Sequence, residues 1–125
     1  MHAFRAAIEA RDINAVGALL ADDVEFRSPV VFKSYSGRDA AKMILAAVAE
    51  VFEDFSYTRE IGGSDARDHA LVFKARIGDK ELEGCDFLHT NEDGLIDEFV
   101  VMVRPLSGAH ALRDAMAAQL AAAQT

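Results

Sequence analysis

The chain has 125 residues, 51% of them hydrophobic, and a net charge of −8. That charge repels nucleic-acid phosphates and anionic lipid, which excludes both as expected partners. The single cysteine, Cys85, leaves no internal disulfide and no cysteine-based zinc site.

One domain fits this length. The start, Met1-His2-Ala3-Phe4-Arg5, is interrupted by polar residues, unlike a signal peptide. The longest apolar run, Met43 to Ala49, is far short of the roughly 20 residues a membrane span needs. A reducing, cytoplasmic setting is the expectation.

The apolar spacing predicts a helix over 2–10, with Phe4, Ala7 and Ile8 on one face. Asp12 then caps a short helix over 13–20 with the stripe Val16, Leu19 and Leu20. A strand at 24–28 turns Val24, Phe26 and Ser28 one way and Glu25 and Arg27 the other. Ser36 opens the clearest helix, with Asp39 three residues on in a capping-box pattern. Ala40, Met43, Ile44, Ala47, Val48, Val51 and Phe52 follow at helical spacing.

From residue 55 the period becomes two. Phe55, Tyr57, Arg59 and Ile61 alternate with Ser56, Thr58 and Glu60, and a second alternation runs over 71–77. Gly78-Asp79 reads as a hairpin turn, 80–90 as a strand, Asn91 to Gly94 as another turn, and 95–104 as the last strand, ended by Pro105. A final helix, 108–122, follows Ser107, with Leu112, Met116 and Leu120 at i+4 spacing. The order predicts an α+β fold, an antiparallel meander with helices on one face. Phe99 to Val103 is apolar at every position, so both sheet faces need a cover there. The second face meets either another copy of the chain, in a homodimer, or the C-terminal helix.

Nucleotide-binding, zinc-protease and serine-hydrolase motifs are absent. The four histidines are scattered, and neither a metal nor a cofactor is expected. Asp86 is the most informative residue. Alternation sets it with Leu82, Gly84 and Leu88, and an apolar setting raises a carboxyl pKa and suits it to acid/base work. The competing reading pairs it with a backbone loop, Arg59 or Arg76. His89, three residues along the strand, faces the other way. Ser28, before Pro29, is a ligand hydrogen-bonding candidate but no nucleophile, for no activating base accompanies it. Phe26, Tyr57, Phe73 and Phe99 are candidate walls of a pocket for a small apolar molecule.

The segment from Ile8 to Phe26, the stretch Tyr35-Ser36-Gly37-Arg38-Asp39-Ala40, and Gly84-Cys85-Asp86-Phe87 with Asn91 to Phe99 and Arg104-Pro105 together resemble the nuclear transport factor 2-like (SnoaL-like) superfamily. The resemblance implies a cone-shaped fold, helices packed in a curved antiparallel sheet. It is not specific for activity, since members include enzymes, binding proteins and scaffolds. The ketosteroid isomerase branch keeps a protonated aspartic acid in its oxyanion hole, and by resemblance that late aspartate falls on Asp86. The base position falls on Ser28 and the tyrosine position on Phe4. In the polyketide cyclase branch a pocket acid is the acid/base, and Asp86 is the residue the resemblance carries over. The resemblance thus leaves isomerase or cyclase chemistry, ligand binding without conversion, and a dimeric interaction domain as alternatives.

Overall fold

A computed structural model describes residues 1–123. The order is α1 (Ala3–Glu9), α2 (Ile13–Ala18), β1 (Leu20–Arg27), β2 (Ser34–Ser36), α3 (Arg38–Val51), β3 (Glu53–Ile61), β4 (Asp68–Ile77), β5 (Lys80–Thr90), β6 (Ile96–Arg104) and α4 (Leu106–Ala123). The strands form one six-stranded sheet in the order β2-β1-β6-β5-β4-β3.

The meander β3 to β6 is antiparallel, as expected. The sheet is nevertheless mixed, because β1 joins β6 in parallel across an irregularity between Leu20 and Glu25. β1 begins at Leu20 and not at residue 24. The run Leu19-Leu20 continues a helical stripe in sequence, but α2 stops at Ala18 and Leu20 pairs with Ile96 instead. The short β2 has no alternation to announce it; it is held by pairing with β1 through Glu25, Phe26 and Arg27. Ser36 does not cap α3. Gly37 is the N-cap and makes no side-chain cap bond, while the Ser36 hydroxyl donates to the Glu25 carboxylate.

Register places the inner face. Asp86 sits opposite Leu71 on one side and Val101 on the other, and Gly84 opposite Phe73 and Val103. Leu71, Phe73, Leu82, Leu88 and Phe99 are buried on this face with Phe4, Val16, Ile44 and Leu45 of the helices. α4 packs on the same side: a Cβ at Gly108 would lie 2.8 Å from the Leu82 Cβ. The C-terminal helix therefore does not cover the outer face. There Val72-Cys85-Met102 and Ala70-Phe87-Val100 form two cross-strand rows, with Phe87 42% and Met102 59% exposed.

Gly84 is required by close approach. A Cβ there would lie 2.2 Å from Phe73 Cζ. That ring cannot swing away freely, because Phe52, Phe55 and Tyr57 surround it at 5.5, 5.1 and 6.4 Å. Gly84→Ala is expected to destabilise the protein by about 1–3 kcal/mol through overpacking. Urea unfolding tests this, and an unchanged midpoint would show that Phe73 has room to move.

Candidate functional site

Between the helices and the inner sheet face lies a cavity of about 700 Å³. Its deep wall comes from the sheet: Phe26 of β1, Tyr57 of β3, Phe73 of β4, Asp86 of β5 and Val101 of β6. α1 contributes Phe4 and α4 contributes Leu112, Met116 and Leu120. The i+4 stripe of α4 thus faces the cavity, which the sequence shows as a stripe without saying what it faces.

Asp86 is 7% exposed and belongs to an apolar wall. Its Oδ2 accepts a hydrogen bond from the Tyr57 hydroxyl at 3.2 Å. No cation pairs with it among the described residues. Arg76 is engaged with Glu53 and Asp54 instead. The expected alternative of an arginine partner is therefore not realised. Burial pushes the Asp86 carboxyl up to about 7, and the Tyr57 hydrogen bond opposes that rise. Tyr57, 8% exposed, has its own pKa driven far above the phenol range, first by burial and then by the nearby Asp86. It stays protonated and is a fixed donor.

The support of Tyr57 is not visible in sequence. Arg5 of α1 sets its guanidinium carbon 5.8 Å from the Tyr57 ring centroid, in cation–π range. Arg5 is itself held by Glu9 and Glu60. Phe55 packs edge-on to Tyr57 at 4.9 Å. No local motif links Arg5 to Tyr57, 52 positions away.

Of the other candidates, Phe26, Ser28 and Phe73 line the cavity. The Ser28 hydroxyl oxygen accepts from the Val30 amide at 3.1 Å in the bend at Pro29, which leaves its O–H free to donate. Phe99 does not line the cavity. It is fully buried behind the wall, 5.1 Å from both Phe4 and Phe26. Alternation sets it on the correct face, where its ring packs against those of Phe4 and Phe26. His89 lies off the inner face, bonded to Asp97 at 2.7 Å. No cluster of three metal-ligating side chains occurs among the described residues, and no helix among them is long and apolar enough to cross a membrane.

The family model of the SnoaL-like domain matches residues 1–99. The chain belongs to the SnoaL-like family. Among solved structures, a steroid delta-isomerase from Pseudomonas aeruginosa is similar at 42% identity and TM-score 0.92, over 97% of this chain and 88% of that one. An uncharacterised protein with a cystatin-like fold from Silicibacter pomeroyi is 38% identical with TM-score 0.88, over 94% and 82%. A SnoaL-like protein of unknown function from Burkholderia thailandensis shares the fold at 15% identity and TM-score 0.65, over 82% and 90%. No curated protein matches the chain. The SnoaL-like assignment accounts for the cone of helices in a curved sheet; residues 100–104 of β6 and the whole of α4 lie beyond the matched segment.

The buried carboxyl has a consequence for stability. The unfolded Asp86 releases its proton near the ordinary value of 3.8, but the folded one near 7. Between these values the folded state holds the extra proton, so Asp86 makes stability fall as pH rises. Relative to wild type, Asp86→Asn is expected to gain up to about 4 kcal/mol between roughly pH 4 and pH 8. Chemical denaturation of both proteins across that range checks it; a constant difference would contradict the raised pKa.

Proposed function

We propose that the protein is an acid/base enzyme acting on a small apolar carbonyl compound, with Asp86 as the group that carries the proton. The observation that supports this reading is a carboxyl in an apolar cavity whose side-chain partner is a neutral hydroxyl. A volume of 700 Å³ falls within the roughly 300–1,000 Å³ of sites for small molecules. A pKa near neutrality is where a general acid/base works best. The similar steroid delta-isomerase supports an enolisable ketone as the substrate class.

Among the described residues Asp86 is the buried charged side chain of the cavity lining, so it serves as the base. Its carboxylate takes a proton from the carbon next to the carbonyl. The C–H electron pair becomes the double bond of the enolate, and negative charge gathers on the oxygen. Once protonated, Asp86 is a weaker acceptor, and the Tyr57 hydroxyl donates to the enolate oxygen instead. Asp86 returns its proton to the same carbon or, in a β,γ-unsaturated ketone, to the γ carbon. The second step completes an isomerisation.

The outer sheet face supports a homodimer. Its two apolar rows are bounded by the ion pairs Arg27–Glu98 and Arg104–Glu83, and a second copy would present the same surface about a two-fold axis. Sedimentation of the intact protein is expected to give a dimer at micromolar concentration, and Met102→Lys a monomer. A wild-type monomer would leave the outer face without this role.

Turnover is tested with a β,γ-unsaturated cyclic ketone, following isomerisation by absorbance and hydrogen exchange at the α carbon in heavy water. Asp86→Asn is expected to lose about 10²–10⁴-fold in rate, and wild-type kcat/KM to rise with pH to a plateau above about 7. Ligand binding without exchange or isomerisation would make the protein a binding domain. An Asp86→Asn variant of full activity would remove Asp86 from the chemistry.

A further inference from the structure

Five charged residues line the cavity near solvent: Glu9, Arg11, Asp12, Glu50 and Arg113, all exposed. Three are committed within the chain. Glu9 is paired with Arg5 at 3.3 Å, the Asp12 Oδ1 accepts from the Ala15 amide at 3.1 Å, and Arg113 donates to Asp114 at 3.1 Å. Among the described residues, Arg11 and Glu50 are in no ion pair or side-chain hydrogen bond.

Arg11 is unusual in a second way. α1 ends in a Schellman turn, in which the Arg11 amide donates to the Ile8 carbonyl at 3.0 Å and the Asp12 amide to the Ala7 carbonyl at 3.1 Å. This turn places Arg11 at φ 55°, the left-handed region where glycine is favoured and a side chain is strained. The backbone bonds need no side chain at that position. An arginine there is unfavourable for folding, and its guanidinium gains no partner among the described residues in return. What it does have is access to the cavity.

We propose that Arg11 binds the anionic end of an amphipathic ligand, whose apolar body occupies the cavity and whose carboxylate or phosphate pairs with the guanidinium. Arginine suits this task because its planar fork meets two oxygens of one anion. Glu50, on the last turn of α3, is the opposing charge, and it makes the competing prediction of a cationic ligand end. The proposal rests on the reading that the cavity takes an apolar ligand, but it does not depend on the chemistry of Asp86.

The test is calorimetric titration of the intact protein with four probes of one chain length: decanoate, decyl phosphate, decanol and decylamine. Wild type is expected to bind one or both anions about 5–20-fold more tightly than decanol, with the gap shrinking in high salt. Whichever anion binds more tightly separates a carboxylate from a phosphate source. Arg11→Gly is expected to abolish the gap while leaving Tm unchanged or raising it by up to about 4 °C, since glycine relieves the turn. The opposite signs separate a ligand role from a structural one. Equal binding of decanoate, decyl phosphate and decanol, tighter binding of decylamine, a gap that survives in Arg11→Gly, or a lowered Tm would each overturn the proposal. If none of the four binds, the cavity reading fails with it; if decanol binds as well as the anions, only the role of Arg11 fails.

Discussion

A single hydrogen bond, from the Tyr57 hydroxyl to the Asp86 carboxyl, is the interaction around which the interior is organised. An aspartate in the middle of an inner sheet face is costly to ionise, because desolvation penalises the charge. Among the described residues no cation stands beside it, and it is shielded from bulk water at 7% exposure. The protein supplies one neutral donor, and that leaves the carboxyl poised near neutrality. A full set of donors would return the group to the ordinary carboxylate range, and complete isolation would keep it protonated throughout. The one-donor arrangement is what makes proton exchange with a ligand energetically close to balanced.

The fold maintains this arrangement through two kinds of constraint. Antiparallel pairing on both sides of β5 fixes Asp86 between Leu71 and Val101, so it faces the helices. The lack of a side chain at Gly84 lets the Phe73 ring lie against the neighbouring position on the same strand face. That ring, with Phe52 and Phe55, forms the aromatic group against which Tyr57 is aimed. α1 then reaches across with Arg5 to hold the outer side of the tyrosine. Helix and sheet meet closely at Phe4, Phe26 and Phe99, and the space left beyond that contact is the cavity.

Much of this is legible in the sequence, since periodicity encodes which face a residue takes. The change to strand near residue 55, the turns at Gly78-Asp79 and Asn91 to Gly94, and the placement of Asp86 among apolar neighbours hold in the structure. The alternation over 55–61, however, breaks at an irregularity between Tyr57 and Arg59, which pairs Glu60 with Leu71 and turns Ile61, opposite Ala70, to the outer face. Depth within a face is a different matter. Phe26 and Phe99 share a face, yet only Phe26 reaches the cavity, because depth depends on the helix packed above. Long-range pairings are also hidden: the parallel contact of β1 with β6, and Arg5 over Tyr57, join residues that no local pattern relates. Ser28 shows a third limit: sequence shows its polarity, but not that its hydroxyl oxygen accepts from the Val30 amide while its O–H donor is left over at the cavity lining.

If a neutral donor alone, acting against burial, sets the ionisation of Asp86, the carboxyl itself must report it. The most direct measurement is the carbon-13 shift of the Asp86 carboxyl followed through a pH titration, in wild type and in Tyr57→Phe. The wild-type midpoint is expected at about 7, with a higher midpoint once the Tyr57 hydroxyl is removed, since that bond stabilises the carboxylate. A wild-type midpoint in the ordinary range near 4, or one that does not rise in Tyr57→Phe, would contradict this.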